Sequence, residues 1–179
     1  MLVKVTSRAW SLNILALMHA GTPGRQASLL SASGAGRTAF GQSLGHLVEL
    51  GLVERNPGHG HPLRPEYRLT QTGAEVARIA NGINRPARQP GERELMRRSW
   101  TIPVLVVSQK PQYFTDIKNA LVSITDRALS QSLKQLQAQH WIRREVDPKV
   151  RPPRPLYQAV NIGARISQAA CPGHYCVST

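Results

Sequence analysis

One stretch of this chain places side chains of the kind that contact nucleic acid on a single face of a predicted helix. The helix is predicted from about Thr125, its capping residue, to Gln139, with a buried stripe of leucines at 129, 133 and 136. Arginine, lysine, glutamine and serine hydrogen-bond to base edges and phosphates. The predicted contact surface is therefore the opposite face together with the cap, namely Thr125, Arg127, Ser130, Gln131 and Lys134.

A weaker version of the same helix lies 89 positions earlier. It is predicted over 37–50, with Phe40, Leu44 and Leu47 as its buried stripe. The exposed positions that correspond to the contact surface are Thr38, Gly41, Gln42 and Gly45, and Arg37 precedes them. Each interior glycine costs about 1 kcal/mol relative to alanine. Either the backbone here approaches another molecule closely, or this helix mainly supports the fold; Arg37, Thr38 and Gln42 are kept as candidate DNA contacts.

The two helices belong to a repeat that spans most of the chain. Trp10 lies 90 positions before Trp100, Tyr67 lies 90 before Tyr157, and Gly73 lies 90 before Gly163. Each copy is about the size of a small domain. The 179 residues therefore predict one fold built twice.

The chain is strongly basic, with 23 Lys plus Arg, 10 Asp plus Glu and a net charge of +13. Such a charge implies an anionic partner, most simply nucleic acid. Residues 1–84 hold 8 basic and 4 acidic residues, a net +4, whereas residues 85–179 hold 15 and 6, a net +9. The second copy is therefore expected to dominate recognition.

Other kinds of chemistry find little support in the sequence. No apolar run is long enough to span a membrane, and the first 20 residues predict a buried helix without a cleavage pattern. The acidic residues suggest no acid–base pair, and no glycine-rich phosphate loop follows a strand, so no enzyme is predicted. The only two cysteines, Cys171 and Cys176, lie near His174, but a fourth ligand is missing and no metal or cofactor is predicted. No core depends on a disulfide, which suits a reducing cytoplasm.

The first copy is predicted to contain four helices and a hairpin. Helices are expected over 10–18, 25–31, 37–50 and 72–80, with Thr72 as the cap of the last. Strands over 52–55 and 66–70 form the hairpin, and Gly51 ends the third helix. The loop of the hairpin contains His59, His61 and Arg64.

The second copy is predicted to follow the same order. Helices are expected over 100–108, 114–121, 125–139 and 163–170, and Pro103 is tolerated because it lies in the first turn of its helix. Strands over 141–144 and 156–160 flank a basic, proline-rich loop that contains Lys149, Arg151 and Arg154. Residues 81–93, rich in Gly, Pro and Arg, are predicted to be a linker.

Three helices followed by a hairpin is the pattern of the winged helix. Its third helix enters the major groove, and its hairpin loop, the wing, reaches the backbone or the minor groove. The predicted wing contacts are His59, His61 and Arg64 in the first copy and Lys149, Arg151 and Arg154 in the second.

The second copy resembles the HxlR-type winged-helix regulators of bacteria, relatives of the MarR group. The resemblance rests on Ser99-Trp100-Thr101, on Tyr113 to Ile117, on Ile124 to Leu133 and on the wing Glu145 to Tyr157. The first copy is similar more loosely, through Trp10, Leu44, Leu47, Gly51 to Arg55 and Tyr67 to Gly73. The resemblance implies a DNA-binding transcriptional regulator.

Two departures from the family pattern matter. The resemblance implies one domain per chain and a homodimer, whereas here two copies are fused. Many members place a redox-sensing cysteine before the tryptophan helix, where this chain has Ser7, Arg8 and Ala9, then Arg97, Arg98 and Ser99. Thiol sensing at this position is therefore unsupported.

Together these observations predict an α+β, mostly helical chain of two tandem winged-helix domains that form an internal pseudo-dimer. The predicted domains are 1–80 and 94–170, joined by the linker 81–93 and followed by a tail, 171–179. Leu2 and Val3, with Val76 and Ile79, are expected to join the domains. The expected partner is double-stranded DNA with an imperfect palindrome, in a cytoplasmic, nucleoid-associated protein. The alternative is an interaction module for protein or structured RNA, and the sequence leaves open a homodimer and a small-molecule effector.

Overall fold

The computed structural model describes residues 1–56, 65–148 and 150–171. The chain divides into two compact units, one ending at Arg85 and the other beginning at Pro86. Each unit has its own buried core. No helix in the part of the chain that the structure describes is long and apolar enough to cross a membrane.

In its described residues, 1–56 and 65–85, the first unit contains five helices and a two-stranded antiparallel sheet. Its elements are α1 (Leu2–Thr6), α2 (Ser11–His19), α3 (Gln26–Ser33), α4 (Arg37–Glu49), β1 (Val53–Asn56), β2 (Glu66–Leu69) and α5 (Gln71–Asn84). The predicted stripe of α4 is buried, with Phe40 and Leu47 fully enclosed. The strands pair from Val53 with Leu69 to Asn56 with Glu66, which confirms the predicted hairpin.

The second unit repeats this order and adds a third strand to the sheet. Its elements are α6 (Pro90–Met96), α7 (Thr101–Val107), β3 (Gln112–Tyr113), α8 (Phe114–Ala120), α9 (Asp126–Ala138), β4 (Ile142–Asp147), β5 (Arg154–Ala159) and α10 (Asn161–Ala170). The strand order is β3-β5-β4, all antiparallel. Pro103 lies in the first turn of α7, as predicted.

Residue Leu52 in the first unit and residue Trp141 in the second form the same junction. Gly51 has φ +67° and His140 has φ +56°, so both occupy the left-handed conformation that ends a helix. The following amides close the ends of α4 and α9: Leu52 N donates to Leu47 O at 3.0 Å, and Trp141 N donates to Leu136 O at 2.9 Å. Both side chains are buried, so the first residue of each hairpin is held in place against the helix that precedes it.

The repeated glycines Gly73 and Gly163 are explained by the same junction. A Cβ atom at Gly73 would clash with the carbonyl oxygen of Leu52, and one at Gly163 would clash with the carbonyl oxygen of Trp141. The last helix of each unit therefore packs directly on the backbone where the hairpin starts. Only glycine allows that approach.

The structure corrects several helix ends. Thr70, rather than Thr72, caps α5, because its hydroxyl accepts a hydrogen bond from Gly73 N at 3.0 Å. Helix α5 extends beyond Ala80 to Asn84, since Ile83 continues its buried face. Trp10 and Trp100 precede their helices as N-caps. The buried helix predicted over the first 20 residues is two helices, α1 and α2, and the short elements α6 and β3 were not predicted.

Residues 81–93 are therefore helical at both ends, and only 85–89 lie between helices. Glu92 Oε2 accepts hydrogen bonds from Arg88 N at 2.8 Å and from Gln89 N at 2.9 Å, which closes the start of α6. Pro90 at the first helical position and an acid two residues later are helix-start signals. The Gly and Pro content of residues 81–93 favoured a linker, so these helix-start signals were missed in the sequence.

We predict opposite effects for alanine at two glycines of the first unit. A Cβ at Gly45 meets no atom within 4 Å, so Gly45→Ala should raise the free energy of unfolding by about 0.5–1 kcal/mol. Gly73→Ala should lower it by about 1–3 kcal/mol because the methyl group overlaps a backbone carbonyl. Urea unfolding followed by circular dichroism measures both changes. A destabilised Gly45→Ala variant would show that this face of α4 is not open.

Candidate nucleic-acid interface

The predicted contact residues of α9 lie together on one exposed face. Arg127, Ser130, Gln131 and Lys134 are all exposed, and Leu129, Leu133 and Leu136 are buried on the opposite side. In the part of the chain that the structure describes, none of these four polar side chains makes a hydrogen bond or ion pair within the protein. Their donors and acceptors are therefore available to an external partner.

The start of α9 is fixed by two polar contacts. The Thr125 hydroxyl accepts a hydrogen bond from Ala128 N at 3.2 Å, which confirms Thr125 as the helix cap. Lys118 Nζ on α8 lies 2.5 Å from Asp126 Oδ1, in the first turn of α9. Because both side chains are substantially exposed, the ion pair contributes at most about 1 kcal/mol. It nevertheless joins the two helices of the helix-turn-helix.

The helix-turn-helix rests on an apolar core beneath it. Ile117 of α8, Leu121 and Ile124 of the turn, and Leu129 of α9 are buried. This packing fixes α8 against α9, so the exposed face of α9 is presented as a rigid surface. A rigid surface loses little conformational entropy when it binds.

The second hairpin presents two of the three predicted wing residues. Arg154 begins β5 opposite Asp147, the last residue of β4, and Arg151 precedes it in the loop. Both arginines are exposed. Lys149 lies outside the described residues. Arg143, on β4, is engaged with its own strand neighbours: it donates to Gln158 Oε1 at 3.1 Å and lies 3.1 Å from Glu145 Oε1.

Tyr113 connects this wing to the helix-turn-helix. Its hydroxyl donates a hydrogen bond to Asp147 Oδ2 at 2.6 Å. The hydrogen bond to the carboxylate raises the pKa of the Tyr113 phenol; burial and the negative charge of Asp147 act in the same direction, and the positive charge of Arg154 opposes them. Sequence reasoning did not predict this contact, because the partners are 34 positions apart and no periodic pattern relates them.

In the first unit the corresponding face of α4 has fewer side chains that can form hydrogen bonds. Arg37, Thr38 and Gln42 are exposed on α4, as predicted, but a Cβ at Gly41 or Gly45 would meet nothing within 4 Å. The glycines are therefore not required by packing within the described chain. Helix α4 starts at Gly36 without a side-chain cap, and its first turn carries Arg37 instead of an acid. His59, His61 and Arg64 lie outside the described residues.

The far end of α4 is tied to α1. His46 Nε2 lies 2.8 Å from Lys4 O and 3.2 Å from Ser7 Oγ, and its Nδ1 lies 3.8 Å from Glu49 Oε2. Ser7 occupies the place where the resemblance implies a redox-sensing cysteine, and here it donates a hydrogen bond to Lys4 O at 2.7 Å. These contacts stabilise the helix ends and leave the contact face of α4 open.

No three potential metal ligands come together among the residues that the structure describes. His174 and Cys176, which the sequence places near Cys171, lie outside that part of the chain.

After a short first helix, each unit has three helices and then a hairpin, and the helix before the hairpin, α4 or α9, has an exposed polar face. This arrangement defines each unit as a winged-helix domain. Comparison with known proteins agrees with this. The chain matches the HxlR-like helix-turn-helix family twice, over residues 5–93 and 95–170. This protein therefore belongs to the HxlR-like helix-turn-helix family, with two such domains in one chain.

One solved structure and no curated protein match the chain. The structure is a transcriptional regulator of the MarR family from Porphyromonas gingivalis W83, with 22% sequence identity. The match covers 42% of this chain and 74% of that one, with a TM-score of 0.39.

Proposed function

We propose that this protein is a sequence-specific transcriptional regulator that binds double-stranded DNA, with recognition dominated by its second domain. The observation that carries the proposal is the exposed face of α9, where four polar side chains have no partner in the described chain. Arginine and glutamine on such a face can each form paired hydrogen bonds with the edge of a base. Acting on DNA would place the protein with the nucleoid.

The wing of the second domain supplies the complementary contact. Arg151 and Arg154 are exposed on the hairpin, and a cation there suits the phosphate backbone or the negative potential of a narrow minor groove. Helix α9 would then provide sequence selectivity, and the hairpin would provide affinity. This division explains why the net charge of residues 85–179 exceeds that of residues 1–84.

The first domain takes a supporting role in this proposal. Arg37, Thr38 and Gln42 retain some capacity for DNA contacts, whereas Gly41 and Gly45 stand where the second domain has Ser130 and Lys134. A glycine offers no side chain to a base edge. We therefore infer that the first domain recognises a degenerate half-site.

Duplex binding should depend strongly on salt, because bound Lys and Arg displace the counterions of DNA. With about six phosphate contacts, the affinity should fall on the order of 10³-fold between 50 and 200 mM salt. Fluorescence anisotropy with a labelled random duplex, titrated over that range, measures the slope. An affinity that does not change with salt would contradict the electrostatic basis of the proposal.

Substitutions on α9 should weaken specific binding more than those on α4. Arg127→Ala or Gln131→Ala should cost about 1–3 kcal/mol on the preferred site, because each removes a two-point contact with a base. The matched variants at the corresponding positions, Thr38→Ala and Gln42→Ala, should cost less. Titration of all four variants against one selected site makes the comparison. Equal losses in both domains would refute the dominance of the second.

The preferred site should be an imperfect palindrome bound by one chain. Paired winged helices contact half-sites about one duplex turn, or about 34 Å, apart. Fusion would make the second contact intramolecular and so raise its effective concentration. Footprinting combined with light scattering on the complex measures the protected length and the number of chains. A symmetric site protected only by two chains, each using one domain, would refute the internal pseudo-dimer.

A further inference from the structure

Tyr113 belongs to two elements at once. It is the second residue of β3, paired with Leu156 of β5, and it is also the residue that precedes the first turn of α8. Asp116 Oδ2 accepts a hydrogen bond from Tyr113 N at 3.4 Å, which helps to close that turn. The backbone of Tyr113 is therefore held by both the sheet and the helix-turn-helix.

The side chain of Tyr113 extends this attachment to the base of the wing. Its hydroxyl reaches Asp147 Oδ2 at 2.6 Å, and Asp147 is the last residue of β4. A short hydrogen bond to a carboxylate is about twice as strong as one between neutral groups. The two-residue strand β3 pairs only with β5, so this bond is what links Tyr113 to β4.

Asp147 is an unusual residue to find beside a predicted phosphate contact. A carboxylate at the base of the wing would repel the DNA backbone unless its charge were compensated. It lies opposite Arg154 in the strand register, and the charges of Asp147 and Arg154 shift the pKa of the Tyr113 phenol in opposite directions. A carboxylate that is fixed by a phenol and stands opposite an arginine in the hairpin is suited to orienting that arginine.

The first domain does not share this arrangement at the corresponding place. Its counterpart of the β3–β5 pairing is a single bridge between Arg25 and Glu66. Arg25 therefore stands where the second domain has Tyr113. The hydroxyl contact is thus specific to the domain with the larger positive charge.

We propose that Tyr113 is a positioning residue of the second wing, which holds Asp147 and thereby orients the wing arginines toward DNA. Tyr113 does not itself contact DNA in this proposal. The inference rests on the proposed function, since it assigns a means of controlling the wing that the function requires. It predicts that the effect of a wing arginine on DNA affinity depends on the Tyr113 hydroxyl.

The test compares Tyr113→Phe with the matched variant Tyr67→Phe in the full chain. Both remove a phenol hydroxyl from a winged-helix domain, but the structure gives the Tyr67 hydroxyl no hydrogen bond within the described residues. Amide hydrogen exchange of 143–147 and 154–158, measured without DNA, should increase in Tyr113→Phe and stay unchanged in Tyr67→Phe. Unfolding curves establish that both variants are folded.

DNA binding provides the second measurement. Tyr113→Phe should weaken duplex binding by about three- to tenfold and lower the slope of log affinity against log salt by about 1, because an oriented arginine is lost. Arg154→Ala should have a large effect in the unmodified chain and a small one in Tyr113→Phe. Such coupling is not expected if the hydroxyl only stabilises the fold.

The outcomes separate the two proposals. Unchanged exchange in Tyr113→Phe would overturn the positioning role, whether or not the chain binds DNA. Increased exchange with additive effects of Tyr113→Phe and Arg154→Ala would overturn it as well, while salt-dependent binding by the unmodified chain still supports the proposed function. Absence of salt-dependent duplex binding by the unmodified chain would overturn the proposed function, and the positioning role with it.

Discussion

The geometry of each domain depends on one backbone junction, at Leu52 in the first and Trp141 in the second. The amide of that residue closes α4 or α9, and its carbonyl oxygen accepts a hydrogen bond from the end of the hairpin, from Thr70 N at 3.1 Å or from Val160 N at 2.9 Å. The carbonyl also lies against the glycine of the last helix. One peptide therefore sets the relation between the contact helix, the hairpin and the final helix. A change at this point would alter both predicted DNA-contacting elements of a domain together.

This junction explains which parts of the fold the sequence could predict. The apolar stripes of α4 and α9, Gly51 at a helix end and the 90-residue repeat are local or periodic signals, and the structure agrees with each. The repeat of Gly73 at Gly163 was visible but unexplained, because its cause is contact with a carbonyl more than 20 positions away. The elements that escaped prediction are short, and segments of two to seven residues carry too few positions to show a period.

The predictability of the candidate site follows the same division. Exposure of Arg127, Ser130, Gln131 and Lys134 could be predicted from helical spacing, since a residue opposite a buried stripe must face solvent. The hydrogen bond from Tyr113 to Asp147 could not, because it joins a short strand to a distant hairpin. Helical periodicity thus identifies the surface that a helix presents. It does not identify the contacts that hold a neighbouring hairpin in place.

The two domains have similar cores. They differ mainly in the hydrogen bonds and ion pairs made by polar side chains at their surfaces. Both domains share the buried stripe, the left-handed helix end and the glycine contact, so both satisfy the constraints of folding. Among the residues that the structure describes, the second domain alone has a threonine cap on the helix before its hairpin, an ion pair between α8 and α9, and a tyrosine joined to its hairpin. Each of these contacts lies outside the apolar core and contributes little to its burial. Each instead fixes the position of a helix or hairpin whose polar side chains face solvent. Under the proposed function, their concentration in one domain follows from the contacts that its surface makes with DNA. The open glycines of α4 would then belong to a domain that keeps the fold and makes fewer such contacts.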